Sequence, residues 1–313
     1  MKRAVVANIK GGTAMGMSKQ DVRAAFRQAW GGDVHVAFAH GDDLPDVMRR
    51  TFENDRFSQV VVAGGDGTVS LAAKLSVETD KPFGVVPLGT MNLFARTLDL
   101  PLERDGAIRA MRDPVIEQVD CGEVNGEVFV NHVSLGFHPQ LVRMRDAIPR
   151  GSRLKRMLNG TRVYLRLMRH HKRIQLTVDG DFEPFGAKAG LVVVSVNPIK
   201  EGTAQIPHPD GQQASEFGLY VSTHASAWDL NKVVWRLLNG TLTESEHVAF
   251  RRTKRVTVKT PTAVHMSVDG EVRVIETPIE CRMLAGRLSV LVPRARSVET
   301  DADAAEVPER GDE

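Results

Sequence analysis

One short segment constrains this chain more than any other: an apolar run over residues 59–63 leads directly into a glycine-rich loop and then a helical stretch. The loop residues are Gly64, Gly65, Asp66, Gly67 and Thr68. Glycines after a strand let the backbone come close to a ligand, and the N–H groups that open the next helix attract phosphate. The segment therefore predicts a parallel α/β sheet with a phosphate-binding loop.

A turn between a strand and a helix can also contain glycines without binding anything. Asp66 favours a functional role, because a carboxylate would repel phosphate unless it held Mg²⁺ or accepted a hydrogen bond from a hydroxyl group. The loop is not a Walker A motif, since no Gly-x4-Gly-Lys-Ser/Thr pattern occurs, and the third glycine of a dinucleotide fingerprint is missing after Gly67. We therefore predict a nucleotide site in which Asp66 either holds Mg²⁺ or accepts a hydrogen bond from a hydroxyl group.

Short β-branched runs alternate with helical stretches up to about residue 120, which predicts a mostly parallel sheet with helices on both faces. The predicted strands are 4–8, 34–38, 59–63 and 83–86. The predicted helices are 18–30, 44–53, 69–77 and 104–111. In such a sheet, ligands bind beyond the carboxyl ends of the strands.

After residue 120 helical patterns become sparse and short strands dominate, which predicts a second, antiparallel β-sandwich domain. The predicted strands are 127–133, 173–178, 191–196, 217–223, 255–258, 265–268, 272–275 and 287–292. We predict a nucleotide-binding domain over 1–122 and a β-rich substrate domain over 123–285. Residues 286–296 are expected to return to the first domain, and 297–313 to form a disordered acidic tail.

A second glycine loop follows the predicted strand 83–86. Gly89 permits close approach of the backbone, and Thr90 and Asn92 offer a hydroxyl and an amide to a phosphate or ribose. Either polar residue could instead cap the helix that follows, and capping is compatible with ligand contact. Because strands 59–63 and 83–86 are neighbours in the predicted sheet, the two loops are expected to lie side by side.

These motifs together resemble the diacylglycerol kinase catalytic-domain family, which includes bacterial lipid kinases and sphingosine kinases. The resemblance rests on Gly-Gly-Asp-Gly-Thr at 64–68, Pro-Leu-Gly-Thr-Met-Asn-Leu-Phe-Ala at 87–95, the stretch 119–137 and Ser-Val-Asp-Gly-Glu at 267–271. It covers roughly residues 1–293. A shorter glycine–aspartate motif is shared with NAD kinases, which are related in fold.

The resemblance implies that ATP binds to the first domain and that Mg²⁺ assists phosphoryl transfer to an acceptor hydroxyl. Glu271 would be the general base with Asp269 as its neighbour, and Asp66 would complete the catalytic carboxylates. The implied nucleotide-binding residues are Asn8, Gly11, Gly12, Gly64, Gly65, Asp66, Gly67, Thr68, Thr90 and Asn92. Taken without the glycine loops, the Asp-Gly pair before Glu271 favours a hairpin turn.

The chain departs from the family pattern at three places. The first loop keeps Asn8 and Gly11 but has lost the proline after the asparagine, and His40 stands where the family often has a threonine. The family's Asp-Asp-Gly, which helps to hold a structural Mg²⁺ in the second domain, corresponds to Glu216, Phe217 and Gly218 here. Phenylalanine cannot ligate a hard cation, so that accessory site is not expected.

The distribution of charge along the chain bears on whether it binds a membrane or nucleic acid. Residues 298–313 hold seven acids and one base, so the rest of the chain has a net charge of +8. Eleven Lys or Arg residues and one acid fall within 143–173, and the stretch 150–173 could rest on an anionic membrane or could simply be a solvated helix. Stacking aromatics are nearly absent there, so we expect no nucleic-acid partner.

Two widely separated cysteines, Cys121 and Cys281, fit a reducing compartment, and no stretch is long enough to span a membrane. We therefore expect a cytoplasmic protein that contacts the inner face of the membrane peripherally, and a homodimer is compatible with the sequence. The resemblance implies a lipid kinase of phospholipid metabolism with a diacylglycerol- or sphingoid-type acceptor. A soluble-substrate kinase of the NAD kinase type and a non-catalytic nucleotide- or lipid-binding regulator are the alternatives.

Overall fold

The computed structural model describes residues 2–8, 18–32, 34–140, 173–200, 214–223 and 248–294. Contacts divide this part of the chain into two units. The first unit takes in the described residues up to Val119 and from Arg287 onward, and the second is Asp120–Gly286. The basic segment 150–173 and the acidic tail 297–313 fall outside the described residues, apart from Arg173.

The first unit alternates strands and helices. Its strands are β1 (Arg3–Asn8), β2 (His35–Ala39), β3 (Gln59–Gly64) and β4 (Phe83–Pro87). Its helices are α1 (Lys19–Trp30), α2 (Leu44–Glu53), α3 (Asp66–Thr79), α4 (Leu93–Thr97) and α5 (Arg104–Ala110), with a short 3₁₀ helix at Gly41–Asp43.

These four strands form a parallel sheet in the order β2-β1-β3-β4. Every residue of β3 and β4 is buried, as expected for strands covered on both faces. The last part of strand Ile279–Pro293 pairs with β4 in parallel, with Val290 opposite Phe83. The predicted parallel α/β fold is confirmed, and the carboxyl ends of β1, β3 and β4 lie at one edge of the sheet.

Two helices of the first unit, α1 and α5, begin directly after a residue whose side chain accepts hydrogen bonds from their first N–H groups. Ser18 caps α1 through a reciprocal pair of hydrogen bonds with Asp21, each of 3.1 Å, and Val22 and Phe26 of that helix are buried. Helix α3 differs from its prediction, because it begins at Asp66 rather than near residue 69. The glycine loop is therefore largely the first turn of this helix.

The described residues of the second unit are mainly strands, with a helical turn at 137–140. The strands are β5 (Pro114–Val124, which begins in the first unit), β6 (Glu127–Phe129), β7 (His132–Gly136), β8 (Ile174–Gly180), β9 (Phe185–Ala189), β10 (Leu191–Val196), β11 (Phe217–Ser222), β12 (Val248–Thr253), β13 (Arg255–Lys259), β14 (Val264–Val268), β15 (Glu271–Ile275) and β16 (Ile279–Pro293).

Two antiparallel sheets build this unit. One has six strands in the order β12-β11-β10-β7-β14-β15, and the other runs from the first part of β16 through β13 and β8 to β9. Side chains of both sheets share one buried apolar cluster, which includes Leu135, Val194, Val178, Val256 and Cys281. The predicted β-sandwich is confirmed.

The strand predicted over 127–133 is instead two strands, β6 and β7, separated by a bend at Val130 and Asn131. Strands β5, β9 and β12 were not predicted. Within the described ranges, the structure has no helix that is both long enough and apolar enough to cross a membrane.

Candidate active site

The two glycine loops of the first unit touch each other through their backbones. A Cβ atom on Gly89 would lie 2.8 Å from the Cα atom of Gly65, closer than real Cβ atoms approach a backbone. The N–H group of Leu88 donates to the carbonyl of Gly64 at 2.8 Å, which holds the ends of β3 and β4 together. The sequence prediction that the loops lie side by side is therefore correct, and Gly89 is required for the contact.

Asp66 joins the two loops. Its carboxylate accepts a hydrogen bond from the N–H of Asn92 at 2.9 Å and another from the N–H of Leu93 at 2.6 Å. Asp66 is the first residue of α3, and Leu93 is the first residue of α4. The negative charge therefore lies at the start of two helices, where the helix dipoles favour it.

Asn92 supports the second loop from within. Its side-chain oxygen accepts the N–H of Gly89 and its amide nitrogen donates to the carbonyl of Gly89, both at 2.9 Å. Asn92 has a left-handed backbone, with φ of 50°, and stands at the N-cap position of α4 without a side-chain cap bond. Thr90 is exposed beside it. The amide thus shapes the loop, and its contact with a nucleotide stays a prediction.

The end of β1 reaches the same edge of the sheet. The amide of Asn8 donates to the hydroxyl of Thr68 at 3.1 Å, and Thr68 is buried in the first turn of α3. The Thr68 side chain fills the space in which Gly64 would carry a Cβ atom. Among the described residues, nothing lies within 4 Å of the position that a Cβ atom on Gly67 would take. Gly11 and Gly12 lie outside the described residues.

The late acidic motif in the second unit is a two-residue hairpin. Val268 pairs with Glu271, and Asp269 and Gly270 between them have φ values of 47° and 93°, as in a type I′ turn. The hairpin that the Asp-Gly pair indicated is therefore present. A turn and a catalytic role remain compatible, because Glu271 is exposed at the first position of β15.

The Asp269 carboxylate binds a distant stretch of backbone. It accepts hydrogen bonds from the N–H groups of Val130 at 2.9 Å, Asn131 at 2.9 Å and His132 at 3.1 Å. These contacts span 137 to 139 positions of sequence. Asp269 therefore positions the hairpin against the bend before β7.

Sequence reasoning missed Asp120, which is buried in β5. Its carboxylate accepts the N–H of Ser215 at 3.0 Å and the N–H of Gly286 at 2.8 Å. The sequence does place Asp120 inside an apolar run, between Val119 and Cys121. Because a buried carboxylate requires hydrogen-bond partners, this position could have indicated a structural role.

Phe217 stands where the family has an aspartate of its accessory metal site. This side chain is fully buried, and its ring stacks on Phe129 with centroids 5.8 Å apart. It belongs to the apolar core of the second unit, so the residues present do not fit a hard cation at that position. Across the described residues, no group of three or more His, Cys, Asp or Glu side chains is placed to hold a metal.

His132, the first residue of β7, has a perturbed pKa. Burial lowers the pKa of its imidazole to about 4, because the charged form loses its hydration. His132 is therefore neutral at physiological pH.

Comparisons with known proteins agree with these motifs. Residues 2–124 match the family model described as the diacylglycerol kinase catalytic domain. A diacylglycerol kinase of Bacillus subtilis is 26% identical over 253 residues, which cover 78% of this chain and 81% of the relative. A diacylglycerol kinase of Staphylococcus saprophyticus is 25% identical over 236 residues, or 74% of this chain and 75% of the relative.

Two crystal structures from Bacillus anthracis share the fold. One, of a diacylglycerol kinase, has a TM-score of 0.69 at 17% identity and covers 94% of this chain and 97% of its own. Another, of a putative diacylglycerol kinase, has a TM-score of 0.71 at 20% identity, with 94% and 96% covered. The resemblance predicted from the motifs is confirmed: residues 2–124 match the model of the diacylglycerol kinase catalytic domain, and the similar proteins and structures carry the same name.

Proposed function

We propose that this protein is an ATP- and Mg²⁺-dependent lipid kinase that phosphorylates a hydroxyl group of a diacylglycerol- or sphingoid-type lipid. The observation that carries the proposal is the pair of glycine loops joined by Asp66, at the carboxyl ends of β3 and β4. These loops lie within the segment that matches the catalytic-domain family. Ligands of parallel α/β sheets bind at this edge.

The nucleotide phosphates would bind at the start of α3. The first N–H groups of a 14-residue helix attract anions, and the open space at Gly67 lets a phosphate approach the backbone. Thr90, exposed on the second loop, would offer its hydroxyl group. The supporting residues are Asn8, Gly64, Gly65, Thr68 and Asn92, with Gly11 and Gly12 assigned from the sequence alone.

Asp66 would hold the metal. Each of its oxygen atoms accepts one backbone N–H group in the contacts described above, and a carboxylate oxygen can accept a second partner. Mg²⁺ in kinases is usually bound through one or two carboxylates together with the substrate phosphates, so a single aspartate fits this donor set. The ion supplies neutralisation of charge on the transferred phosphoryl group.

Glu271 would act as the general base. An exposed carboxylate at the start of a strand can orient the attacking hydroxyl and accept its proton, which contributes to the rate beside positioning and charge neutralisation. Asp269 would serve this base indirectly, because its carboxylate is directed at the backbone N–H groups of residues 130–132.

A lipid acceptor requires that the enzyme reach a membrane. We assign that contact to the basic segment 150–173, on an anionic cytoplasmic leaflet, from its charge alone. The protein would then be cytoplasmic and peripheral, with a role in phospholipid biosynthesis, and a homodimer is compatible with this assignment.

The test is transfer of labelled phosphate from ATP and Mg²⁺ to a panel of lipids in mixed micelles, beside NAD and a reaction without acceptor. Label in one extractable lipid is the expected result and names the substrate class. Label in NAD alone would replace the proposal with a soluble-substrate kinase. ATP binding without transfer to any acceptor would indicate a regulatory protein, the alternative to which Phe217 and His40 point.

A further inference from the structure

Helices α1 and α5 of the first unit pack side by side and leave a groove between them, which we call the α1–α5 groove. The indole N–H of Trp30 donates to the carbonyl of Ile108 at 2.7 Å and holds the end of α1 on α5. The groove has a volume of about 790 Å³, a size typical of ligand sites. Neither glycine loop lines it, so it is separate from the candidate nucleotide site.

Part of the groove lining is apolar and made of small side chains. It includes Ala24, Ala25 and Ala29 of α1 and the buried Ile108 of α5. Alanine side chains are short, so another stretch of polypeptide could approach the helix closely. Small apolar side chains of that stretch would leave water on this lining, which is favourable.

Two arginines of the lining are available to an anionic partner. Arg109 and Arg112 both line the groove, and both are exposed. Within the described part of the chain, neither guanidinium group makes a hydrogen bond or an ion pair. A guanidinium group binds carboxylates through two parallel hydrogen bonds, so each arginine can take one carboxylate.

The acids near these arginines are already engaged. Asp21 accepts the N–H of Ser18 at 3.1 Å, as part of the capping pair of α1. Asp105 accepts a hydrogen bond from the guanidinium of Arg104 at 2.6 Å. Glu103 accepts the first N–H groups of α5. The groove therefore keeps a positive side that its own acids do not neutralise.

The acidic tail leaves the first unit beside this groove. Arg294 pairs with Asp113 at 3.2 Å, and Asp113 directly follows Arg112. An extended chain advances about 3.3–3.6 Å per residue, so Glu299 can lie up to roughly 18 Å from Arg294, and later acids lie further. The part of α1 that lines the groove is about 12 Å long at 1.5 Å per residue. The tail is therefore long enough to reach all of the groove.

The composition of the tail complements the lining. Residues 298–313 hold seven acids and one base, and small apolar residues separate the acids, as in Asp-Ala-Asp-Ala-Ala-Glu at 301–306. The carboxylates suit the two arginines, and the alanines suit the apolar lining. A segment of this composition does not fold by itself, but such segments can become ordered on a partner surface.

We propose that the acidic tail docks in the α1–α5 groove of its own chain, with carboxylates of residues 299–306 bound to Arg109 and Arg112. The tether favours the tail over a free anion, because a short linker gives an effective concentration in the millimolar range. The docked tail neutralises the two arginines and keeps other anions out of the groove. This inference is independent of the proposed function, because no nucleotide or lipid takes part.

A disulfide between the tail and the groove measures docking in the full-length protein. The chain has only two cysteines, Cys121 and Cys281, and both are buried. One variant therefore carries Gln28→Cys, at an exposed position in the groove lining, together with Ala304→Cys in the tail. In a glutathione redox buffer, the fraction of closed disulfide gives the effective concentration of one introduced thiol at the other.

Arg23→Cys together with Ala304→Cys is the matched control pair. Arg23 is exposed on the same helix, but its guanidinium lies 4.9 Å from the ring of Phe38, away from the groove lining. The effective concentration for the Gln28→Cys pair should be about tenfold higher than for this control pair. Two exposed ion pairs together supply roughly that factor.

The charges are tested in the background of the Gln28→Cys pair. Arg109→Gln with Arg112→Gln should reduce the effective concentration to the control value and leave the melting temperature unchanged, because both side chains are exposed. Arg251→Gln with Arg252→Gln removes the same charge from an exposed part of the second unit and should have no effect. In 1 M NaCl, where the Debye length is about 3 Å, the tenfold difference should vanish without any arginine substitution.

Three results would overturn the proposal. The first is an equal effective concentration for the Gln28→Cys and Arg23→Cys pairs. The second is a difference that persists in 1 M NaCl or in the variant with Arg109→Gln and Arg112→Gln. The third is a disulfide between two molecules, seen as a doubled mass, which would assign the groove to a neighbouring copy. Since none of these measurements involves turnover, their failure is distinct from failure of the phosphate-transfer test.

Discussion

The carboxylate of Asp66 and the backbone N–H of Leu93 are 2.6 Å apart, a short contact that ties the first turn of α3 to the first turn of α4. With the second contact to Asn92, one side chain holds both glycine loops in register. The geometry of the proposed nucleotide site therefore depends on the same group that we propose holds the metal.

Replacing Asp66 by asparagine tests this double role. Asp66→Asn keeps one acceptor oxygen but loses the charge, so we expect about 2 kcal/mol less stability, the typical loss for a hydrogen bond to a charged group. Affinity for Mg²⁺–ATP should fall by at least about tenfold, as one lost ligand contact of similar strength implies. Thermal unfolding and ATP titration measure the two effects, with Asp55→Asn, on an exposed turn, as control. Wild-type values in both would remove Asp66 from the site.

Two glycines should respond to alanine in opposite ways. Gly89→Ala places a methyl group 2.8 Å from Gly65 Cα and from Asn92 Oδ1, so it should lower both the melting temperature and the affinity for ATP. Gly67 lies inside α3 with open space beside it, so Gly67→Ala should stabilise the fold by about 0.5–1 kcal/mol.

The diagnostic quantity for Gly67→Ala is ATP affinity, because a methyl group there would occupy the space assigned to phosphate. We expect weaker binding in a more stable protein, measured by ATP titration beside thermal unfolding. Wild-type affinity in Gly67→Ala would exclude Gly67 from the nucleotide contacts, while the effect of Gly89→Ala would still stand.

Glu271→Gln should separate chemistry from binding. Loss of a general base lowers kcat by about 10²- to 10⁴-fold. Because Glu271 is exposed and belongs to the unit that lacks the glycine loops, ATP affinity and melting temperature should remain at wild-type values. Glu276→Gln, also exposed a few residues further on, is the control. Normal turnover in Glu271→Gln would refute the assigned base.

His132 makes stability depend on pH. Its folded-state pKa of about 4 lies below the ordinary value of 6.5, so the unfolded chain binds the proton more readily between these two values. The contribution of the neutral ring is fully present above pH 6.5 and is lost as the pH falls towards 4. Over that window the loss is about 3 kcal/mol at 1.36 kcal/mol per pKa unit.

Urea unfolding at pH 7 and pH 4.5 measures this loss. His132→Gln should lose less stability than the wild type over the same interval, because the ring that must be protonated on unfolding is gone. His35→Gln removes an exposed imidazole and should leave the wild-type dependence intact. Equal pH dependence in the wild type and His132→Gln would show that His132 is not the responsible group.

The elements that the sequence predicted best were those in which hydrophobic pattern and local signals agreed. Helix α2 and strand β10 have the predicted bounds, because apolar periodicity in the first and a β-branched run in the second leave little choice. Strand β9 was missed because Phe-Gly-Ala-Lys-Ala has weak strand propensity, and the segment is a strand through its pairing with β8.

Other features depended on distant partners. The bend at Val130 and Asn131 is held by Asp269, far along the chain, so a local reading merged two strands into one. The start of α3 was placed too late because glycine has low helix propensity, whereas its first turn receives support from the contact of Asp66 with the second loop. The motifs located the candidate residues, but their hydrogen-bond partners required the fold.

Three backbone N–H groups donate hydrogen bonds to the carboxylate of Asp269 and so restrain the hairpin at Asp269 and Gly270. A two-residue turn at the end of a sheet would ordinarily fray, and the groups it carries would sample many orientations. Here the turn is anchored on a neighbouring segment before any ligand arrives. Glu271 follows this turn directly, so its backbone is already ordered. If Glu271 is the base, little of the substrate's binding energy would be needed to order it.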